Sequence, residues 1–398
     1  YLADKEKDYG IIVEQAEDEI SAINMVLGAS FAGVRAMTGT SGGGFALMVE
    51  GLSLSAMTET PVVIALGQRP GPATGFPTRT EQGDLQFALY TAHGEFPRIV
   101  FAPGTPEQAF YLTGNAFDIA EKYQVPVIIL FDQYLADSQW TFEGFDLGRI
   151  KYADYRLRGE ELKNLSEYRR HAFTETGVSP LGIPGESKHL IVTDSDEHDE
   201  EGHIVEDAET RIKMVQKRLF KKLPLIRQEI EPPVLYGDVK PEIVIVGWGS
   251  TYGVMKEVVD ALSENPPLPP FVKVGDQLNP PLENGDRGGF SVKKIAMLHF
   301  SEIYPFPLSV RCHSHENGNP EGMDSCLRRN DRTGVDKFDY LKILNEAKLT
   351  ICIENNATGQ FARLMRAETG YEFKNKINKY DGRPFTVENL VEQIIGKL

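Results

Sequence analysis

Three short apolar runs constrain this chain most. Pro61–Gly67, Pro126–Phe131 and Glu242–Gly249 are rich in Val, Ile and Leu, with no polar residue on alternate positions inside them. They are too short for core helices. A strand with one wet face would alternate apolar and polar side chains, and these do not. Such runs suit strands buried on both faces, as in parallel sheets covered by helices. The segments around them fit that arrangement. Helical spacing is legible over Asp18–Gly33, from Phe45 to about Ala56, and over Pro106–Tyr123, while Arg35–Thr38 and Arg98–Ala102 read as further strands. Thr40 or Ser41 is expected to cap the Phe45 helix. The βαβα order predicts an α/β fold with a doubly wound, mostly parallel sheet.

The same logic restarts at Glu242–Gly249, which is followed by a predicted helix from about Thr251 to Leu262. Strands are expected at Lys294–His299 and Leu349–Ile353, and helices at Phe338–Ala347, Thr358–Thr369 and Val387–Gly396. A chain of 398 residues has room for two such domains. The expected organisation is a first domain over 1–150, an extended connecting region over 151–235 and a second α/β domain over 236–398. The glycines of Gly247-Trp248-Gly249 read as a turn rather than a phosphate cradle, because the acidic ribose partner expected about 20 residues later is not evident.

The connecting region is sharply charge-patterned. Asp194–Glu209 carries nine acids and no Lys or Arg, and Arg211–Lys222 carries six bases. A helix from about Glu206 to Leu219 would place acids at its N-terminus and bases at its C-terminus, in accord with the helix dipole. The acidic run fails as an EF-hand loop, since His198 stands where Asp or Asn is needed and Asp199 where Gly is needed.

Two segments interrupt the second domain. Residues 265–290 hold Asn-Pro-Pro-Leu twice and six of the 24 prolines, a density no helix or central strand tolerates. Residues 310–334 lack apolar periodicity and contain Cys312, His313, His315 and Cys326, whose spacing matches no familiar zinc motif. Both read as poorly ordered surface insertions.

Charge and cysteine content narrow the function classes. Lys and Arg number 42 against 58 Asp and Glu, a net charge of −16, which argues against a chain-wide grip on nucleic acid or an anionic membrane. The longest apolar runs fall far short of the roughly 20 residues of a spanning helix. Three cysteines suit a reducing compartment and are one short of a four-thiolate iron–sulfur cluster. A cytoplasmic protein is expected.

The most specific signals come in a fixed order. They are Val-Glu-Gln-Ala-Glu-Asp-Glu-Ile (13–20), Thr-Gly-Thr-Ser-Gly-Gly-Gly-Phe (38–45), Met-Thr-Glu-Thr-Pro-Val-Val-Ile (57–64), Gln-Arg-Pro-Gly-Pro-Ala-Thr-Gly-Phe-Pro-Thr (68–78) and Glu-Gln-Gly-Asp-Leu (81–85). Thr-Glu-Thr-Gly-Val-Ser-Pro-Leu-Gly-Ile-Pro-Gly (174–185) and Glu-Asn-Asn-Ala-Thr-Gly-Gln (354–360) continue the series. Together they resemble the alpha subunit of 2-oxoacid:ferredoxin oxidoreductases, most closely the 2-oxoglutarate type. The resemblance covers the chain outside the two insertions.

This resemblance implies a thiamine diphosphate enzyme: a pyrimidine-binding domain followed by a transketolase C-terminal-like domain. The implied reaction is oxidative decarboxylation of a 2-oxo acid with coenzyme A, yielding acyl-CoA and CO2 and reducing ferredoxin. A pyruvate or branched-chain substrate, or a non-catalytic remnant, is the alternative. One carboxylic acid is needed beside the pyrimidine ring nitrogen to favour its imino tautomer. Glu17, Asp18 and Glu19 are the candidates, and the family's nine-residue spacing to a glycine selects Glu19 with Gly28. Arg69 is the implied substrate-carboxylate partner, with Thr74 from the same loop and Thr78 and Thr80 behind it. Thr40, Ser41 and Gly42 are the implied cofactor-binding turn, where the family has Ser-Gly-Pro-Gly and this chain has Ser41-Gly42-Gly43-Gly44.

The sequence holds no Gly-Asp-Gly motif for the Mg2+–diphosphate, and Asn355-Asn356 stands without it. Mg2+ and the iron–sulfur cluster are therefore expected from partner subunits, with no metal ligands in this chain. The expected partners are a beta subunit that shares the thiamine diphosphate, gamma and delta subunits in four-subunit complexes, and ferredoxin. Tyr1-Leu2-Ala3 resembles the end of the helix that follows the family's Tyr-Pro-Ile-Thr-Pro motif. The chain is accordingly expected to be a fragment, or to have its start on another polypeptide.

Overall fold

The computed structural model describes residues 1–150, 152–263, 294–309 and 338–398. The segments 265–290 and 310–334 lie outside the described residues, and so do the candidate ligands Cys312, His313, His315 and Cys326. The chain divides into two compact units. The first is Tyr1–Glu231 with Ser301–Leu308 and Tyr380–Arg383; the second is Pro232–Phe300 with Ser309–Lys379 and Pro384–Leu398.

The first unit is built on a five-stranded sheet. Its strands are β1 (Met37–Ser41), β2 (Val62–Gln68), β3 (Ile99–Phe101), β4 (Pro126–Asp132) and β10 (Glu302–Tyr304), in the order β1-β2-β4-β3-β10. All neighbours are parallel except β10, which runs antiparallel to β3. The apolar run in β4 is continuous because both faces are covered: Val127, Ile128, Ile129 and Leu130 are all buried. One face packs against Leu112, Ala116 and Ile119 of the helix Pro106–Tyr123, joined by Ile226 and Ile230. That helix begins as its sequence predicts, with Thr105 accepting from the Gln108 backbone N–H and Pro106 at the first turn. The helices Glu19–Phe31 and Val49–Thr58 contact one another, and Gly51 permits it, since a Cβ there would come 2.7 Å from the Ile23 side chain.

Two boundaries differ from the sequence reading. The first strand lies at Met37–Ser41 rather than Arg35–Thr38, because Arg35 is drawn out of the strand into ion pairs with Asp118 and Glu121. The segment after it is a helical turn, Gly42–Phe45, then a 3-10 turn, Ala46–Met48, then the helix Val49–Thr58. Neither Thr40 nor Ser41 caps it: Ser41 occupies the N-cap without a side-chain hydrogen bond, and the Thr40 hydroxyl turns elsewhere.

Residues beyond β4 form a separate short parallel pair, β5 (Arg156–Leu157) with β6 (Leu181–Gly182), and are tied to the preceding residues by a buried ion cluster. The cluster centres on Glu59, which ends the helix Val49–Thr58 in a left-handed conformation (φ 51°). Its carboxylate pairs with Lys217, Lys222 and, at 3.2 Å, His171. Arg170 donates to the carbonyls of Thr58 and Glu59 and to Gln124. The predicted Glu206 helix is Ala208–Val215, capped by Asp207, and it runs through a π-helical stretch, Gln216–Lys221, into the helix Lys222–Glu229. In a regular α-helix, side chains five residues apart point about 140° away from each other. The wider π turn swings Lys217 and Lys222 to one side, and both reach Glu59.

The second unit repeats the design. Its sheet has the order β12-β11-β8-β9-β7, where β7 is Val234–Gly237, β8 Ile243–Trp248, β9 Ile295–Phe300, β11 Leu349–Glu354 and β12 Asn375–Asn378. Only β7 is antiparallel. Ile245, Met297 and Ile353 of the sheet pack against Val258 and Leu262 of the helix Tyr252–Ser263 and Leu390 and Ile394 of the helix Val387–Ile395.

Candidate functional site

The helix Glu19–Phe31 separates the three neighbouring acids by conformation. Asp18 is the N-cap, and its side chain accepts the Ser21 backbone N–H at 2.7 Å. Glu17 is exposed and precedes the helix. Glu19 is the first helical residue and half-buried, and its Oε1 accepts from the Thr40 hydroxyl at 3.5 Å. Thr40 sits near the carboxyl end of β1, so sheet and helix bring these two side chains together.

The glycine turn that follows β1 makes room for them. A Cβ at Gly44 would lie 2.3 Å from Glu19 Oε1 and 2.1 Å from Thr40 Oγ1. Only glycine leaves space there for both side chains as they stand. One residue back, a Cβ at Gly43 would reach no nearer than 4.0 Å to the guanidinium of Arg69. At Gly42 it would come 2.8 Å from Asp84 Oδ2. The turn thus passes Asp84, Arg69 and Glu19 in sequence, with close approach at Gly42 and Gly44.

Arg69 follows the last residue of β2, in the doubly wound position where strand ends open into a crevice. It is half-buried, and its Nε is buried with no hydrogen-bond partner. Thr74 is exposed on the loop beyond. Thr78 is also exposed, while Thr80 is buried and accepts the Tyr134 backbone N–H at 3.2 Å. Ser41 is half-buried, and its carbonyl accepts from the Thr40 hydroxyl at 3.4 Å. Gly28 is exposed, with open space where a side chain would stand.

The electrostatics of the crevice are dominated by a residue the sequence reading left without a role. Burial pushes the Asp84 carboxyl up to about 6, against the opposing pull of the Arg69 backbone N–H and the Arg69 charge. Glu81 is pushed up as well, by burial and then by the charge of Asp84. The available signal was the acid at the end of Glu81-Gln82-Gly83-Asp84, directly before the helix Leu85–Tyr90.

In the second unit the Glu354-Asn355-Asn356 segment has a structural task. The Glu354 carboxylate accepts the backbone N–H groups of Phe361 and Ala362 at the start of the helix Gln360–Thr369, the Trp248 indole N–H and the Asn356 amide. Asn356 Oδ1 in turn accepts from the backbone of Thr358, Gly359 and Gln360. The turn at Gly249 (φ 54°) is likewise filled by protein: the Gly249 carbonyl pairs with the His299 ring at 2.8 Å.

Residues 1–217 match the family described as pyruvate flavodoxin/ferredoxin oxidoreductase, thiamine diphosphate-binding. The chain belongs to that family. Among curated relatives, the alpha subunit of 2-oxoacid:ferredoxin oxidoreductase 1 from Sulfurisphaera tokodaii is 38% identical over 390 residues, covering 97% of this chain and 52% of that protein. The 2-oxoglutarate synthase subunit KorA of Archaeoglobus fulgidus is 36% identical over 256 residues, covering 64% of this chain and 65% of its own length. Among solved structures, the 2-oxoglutarate:ferredoxin oxidoreductase of Magnetococcus marinus, with 2-oxoglutarate, coenzyme A and succinyl-CoA bound, superposes with a TM-score of 0.79 at 29% identity, covering 100% of this chain and 59% of that one. The chain therefore spans about half the length of the alpha subunits it matches over nearly all its residues. The two-part α/β architecture expected from the sequence is present in this family member, and the described residues include no helix long and apolar enough to cross a membrane.

Proposed function

We propose that this chain is the alpha-type component of a thiamine diphosphate-dependent 2-oxoacid:ferredoxin oxidoreductase, with 2-oxoglutarate as the favoured substrate. The observation that carries the reading is the half-buried Glu19 carboxylate, held between Thr40 and Gly44, whose missing side chain leaves room for both, inside the family-matched residues. That cradle fits the edge of an aminopyrimidine ring: one carboxyl group at a helix start, facing backbone that a flat ring can approach closely. Thiamine diphosphate, when bound, supplies the electron sink that decarboxylation of a 2-oxo acid requires.

The chain's own residues divide the remaining tasks. Glu19, oriented by Thr40, would hold the ring nitrogen of the aminopyrimidine and could share a proton with it. Arg69 receives a substrate carboxylate on its fixed planar charge. Thr74, Ser41 and Gly42 line the approach as secondary contacts. The Mg2+, the diphosphate contacts, the iron–sulfur cluster and the electron exit to ferredoxin are assigned to partner subunits, a beta subunit first and gamma and delta subunits where present. The names of the relatives support a 2-oxoglutarate substrate and coenzyme A as acyl acceptor.

Reconstitution tests this reading. The chain is mixed with its beta subunit, thiamine diphosphate, Mg2+, coenzyme A and 2-oxoglutarate, and reduction of methyl viologen is followed. Viologen reduction that requires both subunits and coenzyme A is the expected result. A mixture that binds thiamine diphosphate but reduces nothing with any 2-oxo acid would overturn it.

A further inference from the structure

Asp84 joins the two halves of the crevice. Its backbone N–H donates to Gln68 Oε1 at 3.2 Å, which fastens the start of the helix Leu85–Tyr90 to the end of β2. Its carboxylate accepts the backbone N–H of Arg69 and lies directly against Gly42. Although Asp84 stands at the helix N-cap, its side chain does not cap the helix. Its Oδ2 is buried and has no hydrogen-bond partner.

A buried carboxylate oxygen without a donor is costly unless a nearby cation or a proton neutralises it. The charged groups that face Asp84 are Arg69, from the end of β2, and Glu81, from the loop before the helix. Glycines 42–44 bring no charge to the other side, and Glu19 sits at the far end of that turn, against Gly44. The Arg69 charge therefore already acts on one carboxylate, Asp84, which in turn acts on Glu81. An arriving substrate anion would be a second at that cation, and carboxylates gathered at one cation raise one another's affinity for protons.

We propose that Asp84 is the counter-charge of Arg69 in the resting site and takes up one proton from solvent when a substrate carboxylate reaches that arginine. The proposal rests on the reading of Arg69 as the substrate's partner. Its consequence is a specificity filter. The Arg69 charge is balanced by that of Asp84 until a substrate carboxylate arrives, and carboxylate binding becomes coupled to proton uptake. The resting carboxyl titrates near 6, so the coupling operates above that pH. By linkage, substrate affinity then falls as pH rises, by up to about tenfold per pH unit for a single proton.

The test uses the complete complex and glutarate, a dicarboxylate with no ketone to react. Calorimetry at pH 7 in two buffers of different ionisation enthalpy counts the protons taken up on binding. The expected result is uptake of up to about one proton in the wild type, none in Asp84→Asn, and glutarate affinity in Asp84→Asn that no longer changes between pH 6 and 8. No uptake in the wild type overturns the proposal, and so does uptake that persists in Asp84→Asn. The wild-type measurement stands even where the variant fails to fold. Arg69→Gln separates the two ideas. If it abolishes glutarate binding while wild-type uptake is nil, only the role of Asp84 falls. If it leaves binding intact, the substrate role of Arg69 falls and the proposal with it.

Discussion

Glu19 and Gly44 compete for the same space: a Cβ on Gly44 would stand 2.3 Å from the carboxylate oxygen of Glu19. The backbone around Gly44 is helical and asks for no glycine on conformational grounds. The requirement is purely one of room for Glu19 and Thr40. One residue earlier, at Gly43, a Cβ would meet nothing closer than 4.0 Å.

Gly44→Ala should therefore separate folding from function. The atoms in the way are the ends of two flexible side chains, which can swing aside, so stability should change by no more than about 1 kcal/mol. The displaced carboxylate would leave its cradle. Thermal melting of the chain should be nearly unchanged, while viologen reduction by the assembled complex falls by about 100-fold or more, the scale of a lost acid–base group. Activity near the wild-type level would show that Glu19 works from another position.

Glu19→Gln keeps the shape and removes only the protonatable group. The C2 proton of bound thiamine diphosphate should then exchange with solvent at least about 100-fold more slowly, with the fold intact by circular dichroism. Glu17→Gln should have no effect, because Glu17 is exposed and lies outside the helix. Asp18→Ala should act on stability alone, costing about 1 kcal/mol for the lost cap.

The ion cluster at Glu59 gives a pH prediction. Burial by itself would raise the carboxyl's pKa, but Lys217, Lys222 and His171 hold it well below the ordinary glutamate range. The folded value is lower than the unfolded one, so the stabilisation is complete above the unfolded pKa of about 4.3 and is lost as pH falls through the folded value. Acid unfolding monitored by circular dichroism should thus steepen below about pH 4. Glu59→Gln should flatten that limb and cost about 3–5 kcal/mol at neutral pH, because it strands buried cations. A neutral-pH stability equal to wild type would show that the cluster contributes little.

What the sequence disclosed followed from how each element is stabilised. β2, β4 and β8 were legible because burial on two faces writes a continuous apolar run. β1 was misplaced by two residues at its start and three at its end because Met-Thr-Gly-Thr-Ser is an edge strand with mixed burial, and its pattern is correspondingly faint. The acids around Glu206 signalled a helix start within two residues of Ala208, yet a reading with a fixed 3.6-residue period cannot see a π turn. Ordered motifs drew attention to Glu19, Thr40 and Arg69. The place of Asp84 was not legible, since it depends on a contact with Gly42, more than forty residues away in sequence.

The last prediction concerns the second unit. Glu354 uses both carboxylate oxygens, taking two backbone N–H groups, an indole and an amide in a buried setting. Glutamine offers a single acceptor oxygen, and its NH2 would face a donor it cannot satisfy. Glu354→Gln should therefore cost about 1–3 kcal/mol, and more if two backbone donors are left unpaired. The neighbouring Cys352 thiol reports on this locally. It is buried, and burial and then the Glu354 charge push its pKa well above the ordinary thiol value, so the native protein should react slowly with thiol reagents. In Glu354→Gln, opening of the helix start at Gln360 should expose the thiol more often. Its labelling rate should rise at least tenfold under native conditions, while Glu19 and Arg69 variants leave that rate unchanged. An unaltered rate would mean that the capping loop holds without the carboxylate.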